Sequence, residues 1–288
     1  MVSPFYKTRY GKAYLGDTLN IISSWPDNSI NLIFTSPPFA LTRKKEYGNE
    51  QETKYIQWFL QFIDHFKRIL TDDGSLVIEF GGTYLPGSPT RSIYQYDLLC
   101  RLVKEYGFFL AQEFFHYNAA VLPSPAEWVC IRRVRTKDSI KVLWWLSKSQ
   151  FPKANNKEIL QPYSKAMLSL IRNGCKTQTR PSGHQISTHF TKDNGGAIPS
   201  NVLQFNNTES NSKYLVRCKE ANLKPHPARF PKKLPEFFIK FLTEEGDTVF
   251  DPFAGSNTTG EAAEDLKRKW LACEIQKNYL ETSKFRFE

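Results

Sequence analysis

Residues 248–274 constrain the fold more tightly than any other stretch of the chain. Thr248 to Asp251 (T-V-F-D) is a short apolar run, and Pro252 to Thr259 (P-F-A-G-S-N-T-T) is a turn of mostly small residues. Gly260 to Lys267 then reads as a helix, and Lys269 to Glu274 (K-W-L-A-C-E) as a second strand. Strand, helix and strand in this order make a βαβ unit, which requires a parallel sheet covered by helices.

The turn also restricts the ligand. A glycine-containing turn from strand to helix, with an acid about 20 residues on, is the pattern of dinucleotide sites, and Gly255 and Glu274 stand in those positions. The glycine lets backbone approach the ligand, and the acid at the next strand tip can accept from ribose hydroxyls. G-x-G-x-x-G itself is missing, because Asn257 stands where the second glycine would be. Gly255 to Gly260 also begins like a phosphate-binding P-loop, but Glu261-Ala262 follows where that loop has Lys and Ser or Thr. Asp251 at the entrance would repel a phosphate and attract a cation. The expected ligand has a ribose and a positive centre but no phosphate, a description that S-adenosylmethionine meets.

The same alternation runs upstream. Ala13 to Leu15 is strand-like, and Gly16-Asp17 ends it with a carboxylate able to N-cap a helix to about Trp25. Asn31 to Phe34 is a buried strand that exits into Thr35-Ser36-Pro37-Pro38-Phe39. The two prolines fix their φ angles at about −65° and remove two donors, and Ser36 is held extended by the proline after it. This rigid ledge offers a hydroxyl, carbonyl oxygens without competing N–H groups and one flat ring, parts that suit a planar ligand with an exocyclic amine. Tyr55, Phe59, Phe62, Ile63, Phe66 and Leu70 recur at helical spacing up to Asp72-Asp73-Gly74. Leu76 to Phe80 is a strand with Glu79 near its C-terminal end, where open α/β sheets build their sites. Arg91 to Tyr106 and Leu234 to Leu242 read as helices, and Phe108 to Tyr117 and Ile140 to Leu146 as strands.

Between Ser147 and Leu223 the texture turns polar, and Lys176 to Asn211 has no sustained apolar period. Its basic groups, among them Arg180, His184 and Lys192, could face phosphates or base edges; a solvated loop is the competing reading. Arg43-Lys44-Lys45 forms a further basic cluster directly after the ledge. Over the whole chain 39 Lys and Arg exceed 29 Asp and Glu, giving +10 and a pI of 9.3. That excess favours a polyanionic partner, with nucleic acid ahead of membrane because no basic amphipathic anchor stands out, and no run approaches the roughly 18 apolar residues of a span. The five cysteines are scattered without C-x-x-C, so neither a disulfide framework nor a metal site is expected, and a reducing cytoplasm fits.

With D-P-F-A-G-S-N-T-T-G, T-S-P-P-F, K-K-E-Y-G-N, P-S-P-A-E-W, R-P-S-G-H, K-D-N-G-G and H-P-A-R-F-P-K-K-L-P-E-F-F-I in one chain, the sequence resembles the DNA amino-methyltransferases of type II restriction–modification systems. The resemblance covers essentially the whole length and is to the permuted β-group, in particular to cytosine-N4 methylases that protect CAGCTG. It implies an α/β fold: a Rossmann-like S-adenosylmethionine-dependent methyltransferase sheet, circularly permuted, with a target-recognition insert. Residues 1–146 would be the catalytic part, 147–223 the target-recognition region and 224–288 the cofactor-binding part. Asp251, Phe253, Gly255, Ser256 and Thr258 would line the methionine and ribose side of the cofactor, with Glu274 at the ribose hydroxyls. Asp17 would approach the adenine, and the stretch from His226 to Phe230 the methionine end.

On this reading a cytosine flips out of double-stranded DNA and stacks on Phe39. Hydrogen bonds from its amino group to the Pro37 carbonyl and Ser36 Oγ, on a ledge stiffened by Pro38, help localise the N4 lone pair toward the methyl donor. Glu79 is expected to accept a proton from Ser36, directly or through water. Cytosine-C5 chemistry is set aside, since no cysteine follows a proline. Adenine-N6 methylation is the nearest rival, as it uses the same geometry, usually with Asp or Asn in place of Ser36. A nucleotide-dependent oxidoreductase is disfavoured by the missing second glycine, and a DNA-binding module without activity by the ledge and turn together. A cognate restriction endonuclease would be linked only through the shared DNA site.

Overall fold

The computed structural model describes residues 2–40, 52–174, 178–179, 181, 185–186, 191–206 and 211–288. They form two compact units, Met1–Ala154 with Asn201–Glu288, and Asn155–Ser200.

In the larger unit, β1 (Tyr6–Lys7) and β2 (Gly11–Leu15) pair antiparallel, and α1 (Thr18–Ile22) follows. The Asp17 carboxylate caps α1 by accepting from the Leu19 N–H at 2.9 Å. Then come β3 (Ile30–Thr35), α2 (Glu52–Ile69), β4 (Leu70–Phe80), α3 (Tyr94–Lys104), β5 (Phe109–Tyr117) and β6 (Ile140–Ser147). The smaller unit holds α4 (Lys165–Asn173) and a hairpin of β7 (Gln178–Thr179) with β8 (Gln185–Ile186). Its two ends are joined by reciprocal backbone hydrogen bonds between Gln161 and Ala197. The chain returns to the larger unit with β9 (Val202–Gln204), α5 (Lys213–Glu220), α6 (Lys233–Leu242), β10 (Thr248–Asp251), α7 (Thr258–Asp265), β11 (Lys269–Glu274) and α8 (Lys277–Ser283). A 3₁₀ turn, Lys284–Arg286, follows α8.

The sheet has nine strands in the order β1-β2-β11-β10-β3-β4-β6-β5-β9. From β2 to β4 the neighbours are parallel, and β6 runs antiparallel to both β4 and β5. The tips of β2, β11, β10, β3 and β4 therefore share one edge, where an open parallel sheet binds ligands. Both faces are covered, as strand alternation requires. Ile33 joins the apolar cluster of α2 (Tyr55, Phe59, Phe62, Phe66), whereas Phe34 meets Phe238 of α6 at 5.5 Å between ring centroids. In β6, likewise, Trp144 packs on Phe80 and Trp145 on Phe241.

Three features depart from the expected layout. Helix α2 stops at Ile69, because Leu70 already pairs with Ile30 in the sheet, rather than at Asp72-Asp73-Gly74. The polar segment contributes β9 to the sheet edge and α5 to the layer beside α8, with Tyr214 and Cys218 buried. The smaller unit is thus shorter at both ends than residues 147–223.

Candidate active site

The turn after β10 is built by short-range constraints. Gly255 lies at φ +52° and Asn257 at φ +57°, so the asparagine occupies the left-handed conformation a second glycine would otherwise supply. Its side chain does what a glycine cannot: Oδ1 accepts from the Gly260 N–H at 3.1 Å and caps α7. A Cβ at Gly260 would lie 2.3 Å from that same Oδ1. Buried Glu274 holds the turn, with Oε2 accepting from the Gly255 N–H at 2.8 Å and Oε1 from the Gln276 N–H at 2.7 Å. Burial raises this carboxyl above its usual value, opposed by those backbone hydrogen bonds. A carboxylate has about four lone-pair sites, so the backbone donors leave room for a further donor.

A buried arginine grips the turn from behind. Arg286 Nε donates to the Ser256 carbonyl at 2.6 Å, Nη2 to Ser256 Oγ at 3.0 Å and Nη1 to Glu261 at 2.5 Å. Its guanidinium also lies 4.4 Å over the Tyr214 ring.

The ledge leaves β3 at the neighbouring tip. Pro37 is buried, and Ser36, Pro38 and Phe39 are half-buried. Phe39 rests against Gly81, where a Cβ would lie 2.6 Å from the ring. Ser36 Oγ donates to Glu79 Oε2 at 3.0 Å. The fully buried Glu79 also accepts from Lys141 Nζ at 3.2 Å, and its other oxygen lies 2.8 Å from His116 Nδ1. His116 Nε2 faces the Phe205 carbonyl at 2.9 Å, so Nε2 carries a hydrogen, and a further proton must lie between Nδ1 and the carboxylate. Burial works to raise the Glu79 carboxyl, but the Lys141 ammonium and the His116 ring hold it down at about 2. Glu79 therefore gathers Ser36, Lys141 and His116 around a carboxylate that is a weak base.

One cavity of about 480 Å³ joins these parts. The ledge from Ser36 to Phe39, Glu79 and Lys141 line one end, and Gly255, Ser256, Thr258 and Glu274 the other. Trp58, Phe62, Phe230 and Phe253 give it aromatic walls, and exposed Asp17 stands in its lining. His226 also lines it, with burial pushing the imidazole down to about 4, so the ring is neutral at physiological pH.

Asp251 is placed differently from the other residues of the turn. It does not line the cavity but is buried beneath it, accepting from Thr35 Oγ1 at 2.9 Å, Thr259 Oγ1 at 2.7 Å and the Phe253 N–H at 3.1 Å. Burial raises its carboxyl to about 6, opposed by those three donors, and the bonds make it a brace between β3, β10 and α7. Lys192 is exposed in the smaller unit, while Arg43, Lys44, Lys45, Arg180 and His184 lie outside the described residues. Lys141, His116 and Arg286 were not expected. Their partners lie across the sheet or across the fold, and strand alternation assigns a residue to a face without naming its neighbour on the next strand.

Fold and site together define a class: an α/β protein with one cavity at its parallel strand tips, shared by a glycine turn and a proline-stiffened ledge. Residues 30–285 match the DNA methylase family. The chain is 51% identical over 287 residues to the type II methyltransferase M.PvuII of Proteus hauseri, covering 99% of this chain and 85% of that one. It superposes on the solved PvuII DNA methyltransferase (cytosine-N4-specific) with a TM-score of 0.82 and 44% identity, covering 100% of this chain and 89% of that one. It also shares the fold of the M1.HpyAVI–SAM complex, with a TM-score of 0.54 at 18% identity, covering 96% of this chain and 100% of the other. The chain belongs to the DNA methylase family.

Proposed function

We propose that this chain is a site-specific DNA methyltransferase that transfers a methyl group from S-adenosylmethionine to the N4 amino group of cytosine in duplex DNA. The observation that carries this reading is the single cavity shared by the Ser36–Phe39 ledge and the Gly255–Glu274 turn. The choice of cytosine N4 is supported by the 51% identity to M.PvuII and by the cytosine-N4-specific title of the matching solved structure. The relative's type II designation supports a protective role against a cognate endonuclease sharing the DNA site. The sheet order, with β10 and β11 between β2 and β3, agrees with a permuted connection. The unit Asn155–Ser200 is the proposed centre of target recognition.

The residues fit the cofactor. The turn has backbone in place of a lysine, Glu274 retains acceptor capacity for ribose hydroxyls, and the aromatic walls suit both a flat base and a positive sulfur. S-adenosylmethionine supplies an electrophilic methyl group on a sulfonium. Everything else falls to the chain. Because Ser36 donates its own hydrogen to Glu79, its lone pairs are free to accept from the amino group of the base. The Pro37 carbonyl accepts the second amino hydrogen, and Phe39 stacks on the flipped ring. These contacts hold the N4 lone pair out of conjugation and in line for transfer.

A carboxyl held at about 2 is a poor base for an amine, so deprotonation before transfer is disfavoured. After the methyl group arrives, the exocyclic nitrogen is cationic and strongly acidic. Even a weak base such as Glu79 then suffices, by way of Ser36. Transfer comes first and the proton leaves second.

The test is incubation of duplex DNA with methyl-labelled cofactor, followed by digestion to nucleosides. Label is expected in N4-methyl-2′-deoxycytidine; label in N6-methyl-2′-deoxyadenosine would change the base, and no incorporation would leave a binding module.

A further inference from the structure

β5 and β6 open into the loop 118–139 on the same edge as the cavity. The register pairs Phe80 with Val142 and His116 with Lys141, so the loop begins beside residues of the site itself. It is a built platform. Tyr84 donates to Asp138, which also pairs with Arg91 at 3.5 Å and Arg135 at 3.7 Å. Arg135 donates to the Pro89 carbonyl, and its guanidinium lies 4.6 Å over the Tyr84 ring. Lys137 closes the loop onto the Ala119 and Val121 carbonyls at 2.8 and 3.2 Å.

What this platform displays is unusual. Leu122 is 79% exposed, Ile131 70% and Val134 61%. Single exposed apolar residues are ordinary, but three on one tied-down loop beside a catalytic cavity mark an interaction surface. Ile131 ends a π-helical turn, Glu127–Ile131, and two arginines follow it. Arg132 is taken up by Glu127 at 2.6 Å and by the Trp128 ring. Arg133 is exposed, held at φ +54°, and makes no hydrogen bond or ion pair among the described residues. A free cation next to an outward apolar side chain matches a duplex with a vacated base position. An apolar wedge fills the gap in the stack, and the cation meets a phosphate.

We propose that the loop 118–139 faces the duplex, with Ile131 entering the stack where the target base has left and Arg133 contacting the backbone. This rests on the reading of the chain as a methyltransferase that flips a base out of duplex DNA.

The test uses the full chain and duplex oligonucleotides carrying the modified sequence, mapped from DNA methylated by the wild type. In one duplex the target cytosine is paired; in the other it is mispaired and already loosely stacked. Ile131→Ala is expected to lower kcat/KM about tenfold or more on the paired duplex and much less on the mispaired one, because the base there needs little help to leave the stack. Arg133→Ala should reduce the slope of log binding constant against log salt by about 1. Equal loss on both duplexes, or no loss, would overturn the wedge, and an unchanged salt slope would overturn the phosphate contact. Sedimentation of the wild type as a dimer that Ile131→Ala dissociates would assign the surface to a second copy instead. A wild type that methylates no duplex refutes the methyltransferase reading, whereas an active wild type with unaffected variants refutes only the platform.

Discussion

The hydroxyl of Thr35 donates to the buried carboxylate of Asp251 at 2.9 Å, tying the residue before the ledge to the residue before the glycine turn. The other carboxylate oxygen accepts from Thr259 in α7 at 2.7 Å, so one acid braces β3, β10 and the helix behind the turn.

The donors to Asp251 favour the ionised acid while burial opposes it, so the cost of keeping this charge buried depends on pH. The Asp251 carboxyl is raised from 3.8 to about 6 by burial, so the fold binds its proton more tightly than the unfolded chain does. Its contribution to stability is full below about 3.8 and lost as pH rises through about 6, a change of about 3 kcal/mol. Asp251→Asn should flatten this part of the profile; denaturant midpoints at pH 4 and pH 7 measure it, and an unchanged slope would refute the assignment. Glu79 has the opposite sign. Its contribution is present above the usual 4.5 and is lost only as pH falls toward about 2.

Ser36→Ala removes an acceptor that the proposed mechanism places on the amino group. Transfer should slow on the order of a hundredfold, since the ring loses half of what orients its nitrogen. Cofactor affinity by calorimetry should stay within about twofold, because Ser36 contacts Glu79 rather than the turn. Equal losses in both would mean that the serine supports the cavity rather than the chemistry.

Gly81→Ala tests the ledge by crowding. The added methyl would sit 2.6 Å from the Phe39 ring, and overpacking of this kind costs about 1–3 kcal/mol. The ring must tilt, so duplex methylation should fall while cofactor binding remains. Wild-type kcat/KM in this variant would show that the ring has no fixed orientation to protect.

Arg286→Lys keeps the charge and loses the fork. A lysine cannot reach both Ser256 atoms and Glu261, and hydrogen bonds to charged groups contribute about 1.5–3 kcal/mol. Cofactor affinity should drop roughly tenfold or more, with little change in the rate at saturating cofactor. An unaltered dissociation constant would reduce the arginine to a packing role.

Much of the βαβ unit was legible because its signals are local. Thr248–Asp251 and Lys269–Glu274 are strands with the bounds their apolar runs announce, and the turn's small residues explain both its left-handed positions and its close packing. The aromatic period of α2 was equally plain. The electrostatics of the site were not. Glu79 was visible at a strand end, but its acidity is set by Lys141 and His116, which reach it from β6 and β5 through the register of an antiparallel pair. Helix α5 was hidden because its buried side is narrow, with Tyr214 and Cys218 set among charged residues.

The position of β10 and β11 between β2 and β3 has a consequence in time. Gly11 finds its sheet partner in Trp270, and the flank of β3 is covered only when Val249 and Phe250 arrive. A chain emerging from the ribosome can assemble β3, β4, β6 and β5 early, but it carries β3 as an open edge and the β1–β2 hairpin as a stray until residue 274 is clear. The turn carrying Gly255 lies in that same late segment. The segment that completes the sheet is thus also the one that completes the cavity lined by Gly255 and Glu274.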